Sequence, residues 1–411
     1  MKNSAASWTI RYTLLNISYF VAFCTIHAYA AVYLLAHGFS NTEVGILLAV
    51  ANIASSLAQP LVAGIIDKPN RLTNKKFIFI SVLTILSGAL LLMFAQDNKP
   101  VIFIVFALIY MIQFTYMPVM TALCFEYRKA GCNIVYGLAR GLGSAGFAVT
   151  SGFIGVIVER RGVQVLLAVT VAAMAASALV ILTFKMPKTP PCSTVDPVKA
   201  DDAVKGKAHN NLKEFIGIYP AFSLFIIASV CFYFAHNMIN DFMIQIIREL
   251  GGAEKELGFS NFLQALLELP VMALIGIVHK KVSSKALLLI SGTAFLVKIA
   301  ILVFARSMTA MYLSQSFQML AYAVFIPATA FYVNETMEEL DQVKGQAFIT
   351  TSITLGGVFS NFISGRIIDL FSVRTALIVG TAVCAAGVAI AFVAMNLPAY
   401  RPEHTNERNA S

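Results

Sequence analysis

Long apolar stretches between residues 10 and 397 constrain this chain more than any other feature. An α-helix needs about 20 apolar residues to cross the hydrocarbon layer of a membrane. Apolar stretches between charged or turn-rich breaks predict twelve such helices, at residues 10–36, 43–66, 76–96, 100–125, 134–158, 163–185, 216–247, 257–278, 286–305, 309–333, 345–368 and 373–397. β-Barrels are excluded because their strands alternate apolar and polar residues. The chain is therefore predicted to be an all-α membrane protein.

A polar segment divides the predicted helices into two sets of six. Residues 188–213 follow the sixth apolar stretch and are rich in Pro, Lys, Asp and Ser, a composition typical of a solvated linker. The sequence therefore predicts an N-terminal six-helix bundle at 1–187, a cytoplasmic linker at 188–213, and a C-terminal six-helix bundle with a short cytoplasmic tail at 214–411.

An internal repeat supports this division. A glycine precedes a polar residue by three or four positions near the ends of four stretches: Gly64 to Asp67, Gly155 to Glu159, Gly276 to His279, and Gly365 to Asp369. The glycines are 91 and 89 residues apart within the halves, and corresponding glycines of the two halves are 212 and 210 residues apart. This spacing predicts four three-helix units paired into two halves, an arrangement that places a solute site near the middle of the membrane.

The basic residues that give the chain its net charge of +9 are concentrated between the apolar stretches, and their distribution indicates the membrane topology. With both termini in the cytoplasm, 20 of the 30 basic residues are assigned to the cytoplasmic side and 8 to the other, which leaves Arg140 and Lys298 in the interior of predicted helices. Cytoplasmic loops carry an excess of such residues. The sequence therefore predicts a multi-pass protein of the inner or plasma membrane with both termini cytoplasmic, and it predicts no nucleic-acid partner.

Ionisable residues inside the predicted helices are the first candidates for function, because burying a charge in a membrane is costly. Glu268 lies near the middle of the eighth helix, beside Pro270, which predicts a local bend. Its carboxyl group could bind a proton or a solute hydroxyl, and a structural ion pair is the alternative. Lys298 in the ninth helix is the candidate partner, unless it extends towards the membrane surface. Arg140 in the fifth helix presents a planar set of donors that could bind sugar hydroxyls or a carboxylate.

Other polar residues are weaker candidates. The seventh helix has one polar flank, predicted to face a cavity or a partner helix, formed by His236, Asn237, Asn240 and Asp241. Asp241 could contact solute or form a structural pair. Gln318 in the tenth helix and His27 in the first are single polar residues, which more often pack in a core than bind a solute. Three glycines after Arg140, at positions 141, 143 and 146, form a G-x-G-x-x-G pattern, but no strand precedes them, so they predict close helix packing.

These residues resemble a known family. The whole chain resembles the major facilitator superfamily, and the segment from Tyr136 to Phe147 resembles the oligosaccharide:proton symporters, the lactose permease-like family. In this resemblance Arg140 matches the arginine that grips the sugar, and Phe147 matches a tryptophan that stacks on it. Glu126 matches the acidic partner of that arginine on the fourth helix.

The resemblance also covers a loop. The segment from Gly64 to Lys75 is similar to the superfamily's loop between helices two and three, which implies that Asp67, Lys68 and Arg71 take part in conformational switching.

The chain departs from the family at the coupling residues. Lys298 stands where the family has an arginine, and Glu268 lies about one turn from the family's helix-eight glutamate. The tenth helix lacks the family's histidine and glutamate, because Gln318 to Ala321 contains neither. Proton coupling is therefore expected at Glu268, Lys298 or Asp241.

These features together predict a monomeric secondary transporter that works by alternating access and carries a sugar or a similar small polar solute with protons. Predicted solute contacts are Glu126, Arg140, Phe147, Asn240, Asp241, Glu268 and Gln318. The alternatives are an exporter of amphipathic drugs on the same fold and a non-transporting nutrient sensor. The six cysteines form no C-x-x-C pair, so no metal site is predicted. A membrane-embedded enzyme would need a metal cluster or a nucleophile with its base, and the sequence shows neither grouping, so no cofactor or enzymatic activity is predicted.

Overall fold

The computed structural model describes residues 5–66, 68, 72–95, 98–185 and 212–397. Within them, twelve helices are long and apolar enough to cross a membrane: α1 (Ala6–Ala28), α2 (Asn41–Ile66), α3 (Asn74–Phe94), α4 (Lys99–Lys129), α5 (Tyr136–Arg161), α6 (Gln164–Leu182), α7 (Pro220–Asp241), α8 (Glu254–His279), α9 (Ser284–Phe304), α10 (Met308–Thr336), α11 (Glu339–Leu370) and α12 (Val373–Asn396). The predicted all-α membrane fold is confirmed.

Several helices begin at a polar residue that caps the first turn. The side chains of Thr73, Asn98, Ser283, Ser307 and Ser372 each accept a hydrogen bond from the backbone N–H three residues later. These caps satisfy donors that the first helical turn leaves unpaired. The polar breaks of the sequence therefore fix where five of the long helices start.

Three predicted helices are interrupted within their apolar stretches. In α1 the chain forms a short π-helix at Cys24–Ala28 and continues as a short α-helix at Ala30–Ala36. The predicted span 216–247 was wrong in its bounds, because it includes the end of a short helix before α7 and most of the helix Met243–Glu249 after it. In α10 the helix is interrupted at Phe317. Hydropathy does not reveal these interruptions because apolar residues continue through them.

The chain forms two compact units. Unit 1 contains Met1–Thr194 and Asp241–Ala265, and unit 2 contains Val195–Asn240 and Leu266–Ser411. In unit 1, α3 packs against α4 and α6, and α1 packs against α5 and α6. In unit 2, α9 packs against α10 and α12, which corresponds to the packing of α3 against α4 and α6 in unit 1. The predicted linker falls on residues 188–213, of which only the last two are described.

The first turns of α8 belong to unit 1 and pack closely on α5. A Cβ atom added to Gly155 of α5 would collide with the Glu254 carbonyl oxygen, and one added to Gly258 would collide with the Ser151 carbonyl oxygen. Glycine permits such an approach because it has no side chain. The helix α8 is therefore shared between the two compact units, with its first turns in unit 1 and the rest in unit 2.

Candidate functional site

Three side chains of unit 2 form a hydrogen-bonded chain. The Lys298 ammonium donates to Gln318 Oε1 at 2.7 Å, and Gln318 Nε2 donates to Glu268 Oε1 at 2.9 Å. Lys298 is 0% exposed and Gln318 is 3% exposed, whereas Glu268 is partly accessible. The two charged candidates therefore meet through a buried amide, and the carboxyl end of the chain is the accessible one.

The orientation of the Gln318 amide follows from the chemistry of its neighbours. An ammonium group only donates hydrogen bonds, so the amide atom beside Lys298 is the oxygen. The amide nitrogen at the other end then donates to Glu268. Both hydrogen bonds involve a charged group, and such bonds are the stronger ones in proteins.

The local folding of α9 and α10 holds this chain in place. The interruption at Phe317 makes Gln318 the first residue of the second segment of α10. The Ser314 hydroxyl donates to the Lys298 carbonyl oxygen at 2.7 Å, and the Ser291 hydroxyl donates to the Ala321 carbonyl oxygen at 2.7 Å. Two bonds between the helices thus fix Lys298 opposite Gln318. In α8 the helix continues through Pro270 without interruption.

The four residues of the polar flank of α7 do not all contact each other. Asn240 and His236 are hydrogen-bonded at 2.9 Å, and the His236 ring stacks on Tyr322 of α10 with 5.3 Å between centroids. Asn237 donates instead to the backbone of its own helix, at the Tyr233 carbonyl oxygen. Asp241, the last residue of α7, belongs to unit 1, whereas the other three residues belong to unit 2.

In unit 1, two of the predicted solute-binding residues, Arg140 and Phe147, lie on one face of α5. Arg140 donates to the Ser144 hydroxyl at 2.9 Å, and its guanidinium carbon lies 4.2 Å from the centroid of the Phe20 ring of α1. Phe147 lies 6.3 Å from the Phe23 ring, also on α1. Arg140 and Phe147 are both partly accessible. The guanidinium is therefore held against an aromatic face, with donors left for a solute.

The predicted pairing of Glu126 with Arg140 is not among the contacts of the described residues. The Glu126 carboxylate accepts a hydrogen bond from the Asn74 side chain at 2.8 Å. This bond links the end of α4 to the start of α3. The structure therefore gives Glu126 a contact between helices, and Arg140 has Ser144 and Phe20 as its neighbours.

The predicted switch loop is described only at Lys68, whose side chain is exposed. Asp67 and Arg71 lie outside the described residues.

The part that α1 plays beside α5 is not predicted from the sequence. Asn16, Phe20, Phe23 and His27 recur at helical spacing on α1, and Phe20 and Phe23 contact the functional candidates of α5. This spacing of aromatic and polar residues was the available signal. A close approach permits the contact, since a Cβ atom on Gly143 would lie 2.8 Å from Phe20 and 3.0 Å from Asn16.

Comparisons with known proteins place the chain among membrane transporters. A family model described as the MFS_1 like family matches residues 10–379. The chain is similar to the crystal structure of the nucleoside transporter NupG, with a TM-score of 0.76 and 14% identity over 95% of this chain and 100% of that one.

Two further structures are similar. One is a bacterial homologue of the human lysosomal transporter Spinster, with a TM-score of 0.72 and 13% identity over 96% of this chain and 98% of that one. The other is a POT family peptide transporter, with a TM-score of 0.69 and 10% identity over 96% and 98%. A search of curated protein sequences found no match. At these identities the similarity establishes the fold.

Proposed function

Because this chain belongs to the MFS_1 like family of major facilitator superfamily transporters, we propose that it carries a sugar or a similar small polar solute together with protons. The observation that supports coupling is the chain from Lys298 through Gln318 to Glu268 in unit 2. The tenth helix lacks the histidine and glutamate of the lactose permease-like family, and this chain of side chains would take their place in coupling.

The proposed coupling follows from charge balance. A buried ammonium group is stable only when an opposite charge or strong acceptors offset its loss of hydration. When Glu268 binds a proton, Lys298 loses its counter-charge. A solute that offers hydroxyl or carboxylate oxygens to this chain would then stabilise the protonated state. Proton binding and solute binding would thereby favour each other.

The proposed solute contacts in unit 1 are Arg140 and Phe147. The guanidinium donates to hydroxyl or carboxylate oxygens, and an aromatic ring covers the apolar face of a sugar ring. Asn240, Asp241, Glu268 and Gln318 are proposed as further contacts, whereas Glu126 would act through its bond to Asn74. Nested helical repeats of this kind work by alternating access.

Topology belongs to the same proposal. We propose that the protein is a monomer of the inner or plasma membrane, that both termini are cytoplasmic, and that the loop with Asp67, Lys68 and Arg71 participates in switching. Labelling of single cysteines placed in each tail, in sealed cells, tests the orientation. Protection of both tails from an impermeant reagent is expected.

The deciding experiment compares Glu268→Gln with wild type in proteoliposomes, using a panel of sugars and related polar solutes. Glu268→Gln keeps the size and the hydrogen-bonding capacity of the side chain but cannot exchange a proton. We expect it to lose accumulation driven by a pH gradient and to retain solute counterflow, which needs no gradient.

The matched control is Glu339→Gln, the same substitution at an exposed position of α11. It should accumulate solute as wild type does. Normal gradient-driven accumulation by Glu268→Gln would remove Glu268 from the coupling mechanism.

A further inference from the structure

Four buried polar atoms of unit 1 lack ordinary hydrogen bonds at one place between α1 and α4. Gln113 of α4 is 0% exposed, and neither atom of its amide has a hydrogen-bond partner. The same holds for both ring nitrogens of His27 on α1. The Gln113 amide lies beside the imidazole, but the two groups do not form a hydrogen bond of normal geometry.

This arrangement is unfavourable for a purely structural core. Leaving a buried donor or acceptor unpaired costs about 1–3 kcal/mol, and an apolar side chain of similar shape avoids this cost. His27 also lies in the short π-helix Cys24–Ala28, and π-helical turns within α-helices occur frequently at functional sites. Both observations favour a bound ligand as the partner of these atoms.

Aromatic rings surround the imidazole. Phe23 stacks on it with 4.1 Å between centroids, and Tyr110 and Phe114 of α4 lie at 3.8 Å and 4.5 Å. His27, Phe23 and Phe114 are partly accessible, although the ring nitrogens are buried. A flat group that takes the place of one of these rings would therefore contact the remaining aromatic rings and meet polar atoms at its edge.

The same face of α1 continues to Arg140. Phe20, Phe23 and His27 follow each other at helical spacing, with Arg140 over Phe20 and Phe147 beside Phe23. Seven residues separate Phe20 from His27, which is about 10 Å along a helix with a rise of 1.5 Å per residue. That length exceeds one sugar ring and suits a solute made of two linked rings.

We propose that His27 and Gln113 form a subsite for a planar ring with a cyclic amide edge, carried by a solute whose sugar-like part binds at Arg140. The inference rests on the proposed function, because it takes Arg140 as a solute contact. Gln113 presents one donor group and one acceptor, and a neutral imidazole does the same. A ring that bears N–H beside C=O pairs with both, while Phe23 offers a stacking face and Phe114, perpendicular to Phe23, packs against its edge.

The test uses counterflow in proteoliposomes, which does not depend on proton coupling. Uridine has the amide edge, N3-methyluridine lacks its donor, methyl riboside lacks the ring, and uracil lacks the sugar. We expect uridine to have a half-saturation constant roughly ten-fold lower than N3-methyluridine, the loss that corresponds to about one hydrogen bond in a buried site. Methyl riboside and uracil should bind more weakly still, because each lacks a whole ring and its contacts.

Two variants locate the effect. His27→Phe keeps a stacked ring and Gln113→Leu keeps the bulk, and each should bring uridine to the level of N3-methyluridine. The matched control is His37→Phe, because His37 also packs against a tyrosine ring, Tyr33, but has hydrogen-bonded ring nitrogens. It should leave the preference intact.

The wild-type comparison keeps the proposal testable even when a variant fails to fold. Equal constants for uridine and N3-methyluridine, or no uridine counterflow, would overturn the subsite, as would a preference that survives in both variants. The two proposals fail separately. A subsite with no effect of the pH gradient contradicts proton coupling alone, and gradient-driven sugar uptake without uridine preference contradicts the subsite alone.

Discussion

Replacing Lys298 with methionine is expected to destabilise unit 2 and to make solute movement independent of the pH gradient. Lys298 is 0% exposed and donates to Gln318 at 2.7 Å. A hydrogen bond to a charged group contributes about 1.5–3 kcal/mol, and breaking one member of a buried charge pair costs about 3–5 kcal/mol. Because Glu268 is partly accessible and Gln318 separates it from Lys298, we expect a loss of about 2–3 kcal/mol.

The double variant Lys298→Met/Glu268→Gln isolates the interaction. Methionine fills the volume of the lysine stem, and removal of both charges leaves no unpaired ion in the interior. We therefore expect the double variant to be more stable than Lys298→Met, with a coupling energy of about 1–3 kcal/mol. Apparent melting temperatures of the four proteins in one detergent at neutral pH measure this. A double variant whose loss equals the sum of the two single losses would refute the charge-balance argument.

Three other outcomes are expected. Arg140→Lys keeps the positive charge but loses the planar donors and the contact with Phe20. The half-saturation constant for solute in counterflow should therefore rise roughly ten-fold, which is equivalent to about one charge-assisted hydrogen bond. An unchanged constant would contradict this role of Arg140. Gly143→Val should displace Phe20 and Asn16 and abolish solute binding. Gly137→Val should bind solute normally in the same assay, because a Cβ atom added to Gly137 has no neighbouring atom within 4 Å. Burial raises the pKa of the Cys132 thiol, which lies between α4 and α5. A variant that retains only this cysteine should therefore react slowly with maleimide near pH 7 and faster as the pH rises through that pKa, because the thiolate is the reactive form. Fast labelling of the folded protein at pH 7 would contradict this prediction.

The sequence by itself determined the membrane fold. Twelve apolar stretches, each long enough to cross a bilayer, specify twelve helices, because the transfer of each side chain from water to lipid is a local property. The same logic singled out Glu268, Lys298 and Arg140, since a charge inside an apolar stretch is visible without any knowledge of its neighbours.

The tertiary structure decided which residues meet. Gln318 was one polar residue among many apolar ones until the interruption of α10 at Phe317 placed it between Lys298 and Glu268. Glu126 bonds to Asn74, and His27 lies beside Gln113, through contacts between helices that are distant in sequence. Hydropathy and spacing report the energy of one helix at a time, whereas hydrogen-bond partners depend on how helices pack against each other.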